Sequence, residues 1–161
     1  MKVPQRLVPI SDALIQKKHF EPLETDLFDD CGGGCVATRL YWGTPVTIAV
    51  VLADDLAQEQ LQQLADAHYA LTVDQLRRFE NPLRGRVVLP KSSVGQLWLV
   101  FDRGCDEGRL ADARALKRNE FTKVLLPWVL DLQNRQVHFH KGLPFMRFPG
   151  RRFLRRLLQD V

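Results

Sequence analysis

Apolar residues along this chain follow two rhythms. Short runs rich in β-branched and aromatic residues, CVATRLYW, VTIAVVLA, RGRVVLP, GQLWLVFD, TKVLLPWVLDL and QVHFH, are broken by Gly, Pro, Asp or Asn. That is the pattern of strands bounded by turns. The first two flank Gly43-Thr44-Pro45 and read as a hairpin, and the last two turn at Gln133-Asn134-Arg135. The middle two are expected to join around Lys91-Ser92-Ser93. VTIAVVLA is apolar at successive positions, so both of its faces are expected to be covered, as in a central strand. Pro127 lacks an N–H for a ladder and predicts an edge position or a bulge.

Between the strands, apolar residues recur every three or four positions, the helical period. In DDLAQEQLQQLADAHYAL, opened by Asp54-Asp55, Leu61, Leu64, His68 and Leu71 share one face, opposite Glu59 and the glutamines. His68 therefore reads as a buried, hydrogen-bonded core residue. TVDQLRRFENPL predicts a second helix, capped by Thr72 and closed before Pro82. RLADARALKRNEF predicts a third helix, and Gly150 leads into a last one. Residues 1–34 read as an irregular acidic segment with a short helix near SDALIQKK, capped by Ser11 or Asp12. Residues 35–161 read as the core. The expected fold is a single α+β domain with a mixed, mostly antiparallel sheet of about six strands in three hairpins, and helices packed on its faces.

Length and composition add little to this. A chain of 161 residues with 45% hydrophobic side chains supports one real core. Its longest apolar run, Ile48 to Ala53, is far too short to span a bilayer. The opening MKVPQRLVPISD has no apolar stretch of the signal-peptide kind, so a cytoplasmic protein is expected. An odd number of cysteines, Cys31, Cys35 and Cys105, argues against a disulfide framework.

Charge changes the picture more. Residues 135–161 carry Arg135, Lys141, Arg147, Arg151, Arg152, Arg155 and Arg156 against Asp160 alone, a net +6 in a chain of +4. Residues 10–35 carry Asp12, Glu21, Glu24, Asp26, Asp29 and Asp30 against Lys17 and Lys18, a net −4. The chain is acidic near its start and basic at its end.

Candidate chemistry begins at the strand ends. VTIAVVLADD ends in Asp54 and Asp55, and QLWLVFD ends in Asp102. Carboxylates on adjacent rigid strand ends suit a magnesium ion, and they suit equally a helix cap and a turn. On the helix predicted after Asp102, Lys117 falls on the inward face between Leu110 and Phe121, where it must snorkel or meet a carboxylate. Strand-end acid, inward lysine and then the hairpin WVLDLQNRQVHFH resemble the core layout of the PD-(D/E)xK nucleases. The acid-x-Lys pair of that family on one strand is absent. The resemblance implies a metal-dependent phosphodiesterase with Asp102 and Lys117 as catalytic residues, and Asp54, Asp55 and Asp102 holding magnesium.

Other signals are plainer. Cys31 and Cys35 in CGGGC read as a turn before a strand, since a zinc site needs about four matched ligands. His138 and His140 share one face of a strand, which suits paired metal ligands and an ordinary wet face alike. Neither GxGxxG nor GxxxxGK[ST] occurs, so nucleotide loops of those kinds are excluded.

The strongest functional signal is the tail, RRFLRRLLQDV. On a helical wheel Phe153, Leu154, Leu157, Leu158 and Val161 fill one arc, and Arg151, Arg152, Arg155 and Arg156 fill another. Like charges four apart repel, so something acidic is expected to face them. The chain's own stretch 21–30 is one candidate. Nucleic acid is another, with Arg147, Arg135 and Lys141 extending the track and Phe145 and Phe148 available for stacking. An acidic partner protein or an anionic membrane surface is the third. The leading reading is an accessory or regulatory binding module, without a cofactor, engaging an acidic protein or nucleic acid through Arg147, Arg151, Arg152, Arg155 and Arg156. The alternative is the nuclease-like enzyme with magnesium.

Overall fold

The structure, a computed structural model, describes residues 3–41, 43–80, 92–120, 123–139 and 149–160, and only the backbone of residues 78–80 and 151. The chain enters through a helical segment: a 3-10 turn Gln5–Leu7, α1 Val8–Asp12 and a π-helical turn Ala13–Lys17. Then follow β1 Glu21–Pro22, β2 Gly34–Tyr41, β3 Thr44–Leu52, α2 Gln58–Glu80, β4 Ser93–Phe101 and α3 Glu107–Ala115. β5 Arg118–Glu120, β6 Lys123–Asp131, β7 Gln136–Phe139 and α4 Arg151–Asp160 complete the order.

The strands form one open sheet in the order β1-β2-β3-β4-β6-β5, with β7 also on β6. The α+β class and the helices on both faces match expectation, but the sheet is mixed, with seven strands rather than six among the described residues. It is not mostly antiparallel either, because its centre, β3, β4 and β6, is parallel. α2 and α3 return the chain across the sheet before each next central strand, as parallel neighbours require. The hairpins β2–β3 and β6–β7 are present as expected. The proposed strand RGRVVLP lies outside the described residues, and β4 takes β3 and β6 as its neighbours. Among the described residues nothing pairs with Pro127 on the outer side of β6: β5 covers Lys123 to Leu125 and β7 covers Trp128 to Asp131. A residue with no N–H to offer fits that gap.

Two cores lie on either side of the sheet. On one face Ile48, Val50, Trp98 and Trp128 meet Leu7, Ile10 and Leu14 of the entry segment and Leu154, Leu157 and Leu158 of α4. On the other, Ala49, Val51, Leu97 and Leu99 meet Leu61 and Leu64 of α2 and Leu110, Ala113 and Leu116 of α3. β3 is buried on both faces, which is why VTIAVVL shows no polar alternation.

Several local expectations are corrected. The entry segment is helical from Gln5, with Ser11 buried inside it and capping nothing. α2 begins at Gln58, where the Gln60 side chain accepts the Ala57 N–H at 2.9 Å, and Asp54-Asp55 stays outside in a turn. It then runs unbroken past Thr72, whose hydroxyl donates back to the His68 carbonyl at 2.9 Å and so needs no capping role. Gly95 on β4 makes room for this part of the helix: a Cβ there would come within 2.7 Å of Thr72 Oγ1. His68 is fully buried, its Nε2 3.1 Å from the Gln96 carbonyl oxygen. α3 stops at Ala115, because Lys117-Arg118-Asn119-Glu120 offers no apolar face to bury. That stretch becomes β5 instead, tied to α2 by Tyr69, which donates to Glu120 at 2.8 Å, and by the Arg118–Asp66 pair.

Candidate polyanion-binding surface

The strand-end acids form a clasp around the loop after β4. The Asp54 carboxylate accepts the backbone N–H of Asp102 at 2.9 Å and that of Arg103 at 3.0 Å. From the far side Asp131, buried at the end of β6, accepts the Cys105 N–H at 3.1 Å. Asp131 also accepts the N–H and the side-chain amide of Asn134, each at 2.9 Å, closing the β6–β7 turn. Burial works to raise the Asp131 carboxyl, but these hydrogen bonds outweigh it and hold the group below its ordinary value. The sequence marks Asp131 as it marks Asp54 and Asp102, an acid closing an apolar run, yet only the fold shows that it faces the same loop.

Arginines also meet these carboxylates. Arg103 pairs with Asp55 and, at 3.7 Å, with Asp54, while Arg6 reaches Asp102 at 3.3 Å. Arg109 donates to the carbonyls of Leu56 at 2.6 Å and Asp54 at 3.1 Å. Lys117 is placed differently from the sequence expectation. It lies past the end of α3, exposed, and not on an inward helical face. Among the described residues, no group of three or more His, Cys, Asp or Glu side chains is placed to hold a metal ion. The Asp54 carboxylate meets backbone N–H groups and Arg103, and the Asp102 carboxylate meets Arg6.

The cysteines are unpaired thiols in poor positions to react. Cys35 is buried, and burial pushes it up to about 11 against a hydrogen bond from Ser11. Burial and then the charge of Asp30 raise Cys31. Gly32 and Gly33 take left-handed backbone at the turn, and a Cβ on Gly34 would collide with Phe28 and the Val50 carbonyl. The CGGGC run is thus a tight turn against a core aromatic. His138 is half-buried on β7. His140, Lys141, Phe145, Arg147 and Phe148 lie outside the described residues.

The described side chains of α4 follow its wheel. Leu154, Leu157 and Leu158 are buried, whereas Arg152, Arg155 and Arg156 are exposed. The expectation that the acidic stretch neutralises them is not met. Leu23, Leu27 and Phe28 anchor that stretch in the core beneath α2, on the far side of the sheet from α4. Among the described residues no acid forms an ion pair with Arg152, Arg155 or Arg156.

Beside the arginines lie two residues that sequence reasoning counted only as offsets to the acidic segment. Lys17 and Lys18 end the entry segment, and they share with Arg152 and Arg156 an open groove of about 680 Å³. Lys18 is held in place twice. Its ammonium rests 4.8 Å from the Phe153 ring centroid, and its carbonyl accepts from the Arg39 guanidinium. Asp160 also lines the groove and meets Lys17 at 3.8 Å. A lysine pair opposite an arginine row was hidden in the sequence by more than 130 intervening residues.

No protein-family model matches the chain, and neither curated proteins nor solved structures give a match.

Proposed function

We propose that the protein is an accessory binding module that engages an acidic macromolecule through the exposed cationic side of α4. The observation that carries this reading is the division of labour on one helix. Its leucines are committed to the domain's own core, while Arg152, Arg155 and Arg156 have no internal acid among the described residues. Three exposed guanidinium groups within two turns repel one another, and an external anion relieves that repulsion. Arg151, and Arg147 upstream, extend the cationic run in sequence. The reading requires no cofactor.

No helix among the described residues is long and apolar enough to cross a membrane. Three free thiols suit a reducing compartment, and we place the module in the cytoplasm.

Fluorescence anisotropy with labelled polyanions, a DNA duplex and polyglutamate, tests the reading. Wild type is expected to bind at low salt, and a variant with Arg152, Arg155 and Arg156 changed to Gln is expected to bind far more weakly. Equal binding by the two proteins would contradict it.

A further inference from the structure

We infer that the acidic partner is a nucleic-acid duplex, held by its phosphates in the groove between Lys17–Lys18 and α4. This rests on the polyanion reading above and adds the partner's class and a second wall to the site. The groove has cations on both sides, lysines from the entry segment and Arg152 and Arg156 from α4, the latter one turn or about 6 Å apart along the helix axis. Two cationic walls suit a ligand with charge spaced along its length, and duplex DNA carries one negative charge per roughly 1.7 Å of axis.

The chemistry of the walls selects against an acidic protein. Protein interfaces take their energy from apolar and aromatic anchors seated in a desolvated centre. Here the apolar side of α4 is already buried, and the ammonium of Lys18 covers the ring of Phe153. The same covered ring argues for a duplex over a single strand, because single strands are held largely by bases stacking on open aromatic faces. Among the described residues lining the groove, Phe153 is the one aromatic. Contacts limited to phosphate position a duplex without reading its sequence.

Asp160 is the internal competitor. It is the one acid among the described lining residues, and its contact with Lys17 joins two groups that are each more than half exposed. Such a pair is weak, so a phosphate displaces it easily.

The test is anisotropy with one labelled duplex, its isolated strand and polyglutamate, each over a salt series, using wild type, Lys17→Gln/Lys18→Gln and Asp160→Asn. The proposal expects the duplex to bind tightest and independently of base sequence. Removing both lysines should lower the magnitude of the salt slope by about 1.8, at about 0.9 for each phosphate left without its cation. Asp160→Asn should tighten binding, and this substitution leaves every groove cation in place. Polyglutamate or the single strand binding as tightly as the duplex would overturn the inference while sparing the polyanion reading. So would an unchanged slope in the lysine variant, or unchanged affinity in Asp160→Asn. Absence of salt-sensitive binding to all three polyanions would remove both.

Discussion

The ammonium of Lys18 lies over the ring of Phe153, 4.8 Å from its centroid, and so joins the start of the chain to its last helix. Beneath that contact, Leu154, Leu157 and Leu158 share a core with Leu7, Ile10 and Leu14. The two ends of the sequence thus build one layer of the fold and one groove on its surface.

That shared layer makes α4 structural as well as cationic. Burying a leucine contributes roughly 1.5–3 kcal/mol, and truncating one in a packed core costs about 2–5 kcal/mol. Leu157→Ala is expected to lower unfolding free energy within that range in urea titrations, and deletion of residues 151–161 by more. An unchanged urea midpoint in either protein would show that α4 is not packed as described.

The clasp at the strand ends predicts a contrast between neighbours. The side chain of Asp54 is 11% exposed and accepts two backbone N–H groups, whereas that of Asp55 is 88% exposed and, among the described residues, meets Arg103 alone. Asp54→Ala leaves those donors without their partner and should cost about 1–3 kcal/mol. Asp55→Ala removes a surface pair and should stay within about 1 kcal/mol of wild type. Chemical denaturation of the two variants side by side checks this. Similar losses in both would refute a clasp centred on Asp54.

His68 gives the domain a pH-dependent weakness. Burial lowers its pKa from 6.5 to about 4, despite the hydrogen bond to the Gln96 carbonyl. The unfolded chain therefore binds a proton that the folded chain refuses between those two values. Stability is whole above about pH 6.5 and falls as pH drops toward 4, by about 3 kcal/mol in total. Asp131, whose pKa is depressed, loses its contribution only below its ordinary value of 3.8, so the two windows separate. In melting curves from pH 7 to pH 4.5, His68→Gln should show a much shallower decline than wild type. Parallel declines would assign the acid sensitivity to other groups.

Much of this was legible in the sequence, and what was not has physical causes. The strands β2, β3, β4, β6 and β7 follow from apolar runs punctuated by Gly, Asp and Asn, and the two faces of α4 follow from its period. Sheet order did not follow, because adjacency in sequence suggested hairpins where α2 and α3 impose parallel neighbours. Thr72 resembled a cap locally, but Gly95 opposite it makes room for an unbroken helix. Lys117 resembled an inward residue only while the helix was extended past Ala115. For the site, the arginine row was visible and its second wall was not. Lys17 and Lys18 sit in a stretch whose net charge is negative, and proximity across the fold leaves no local trace.

The central claim is that the exposed cations Arg152, Arg155 and Arg156 of α4 bind a polyanion by neutralising its phosphates. The most direct measurement is the slope of log K against log salt for a DNA duplex, for wild type and for the variant with Arg152, Arg155 and Arg156 changed to Gln. Glutamine is a comparable helix former, so the variant should melt with wild type. Its slope should be smaller in magnitude by up to about 2.7, at about 0.9 for each phosphate no longer neutralised. A wild type whose binding is absent or indifferent to salt would contradict the claim, as would a variant with an undiminished slope.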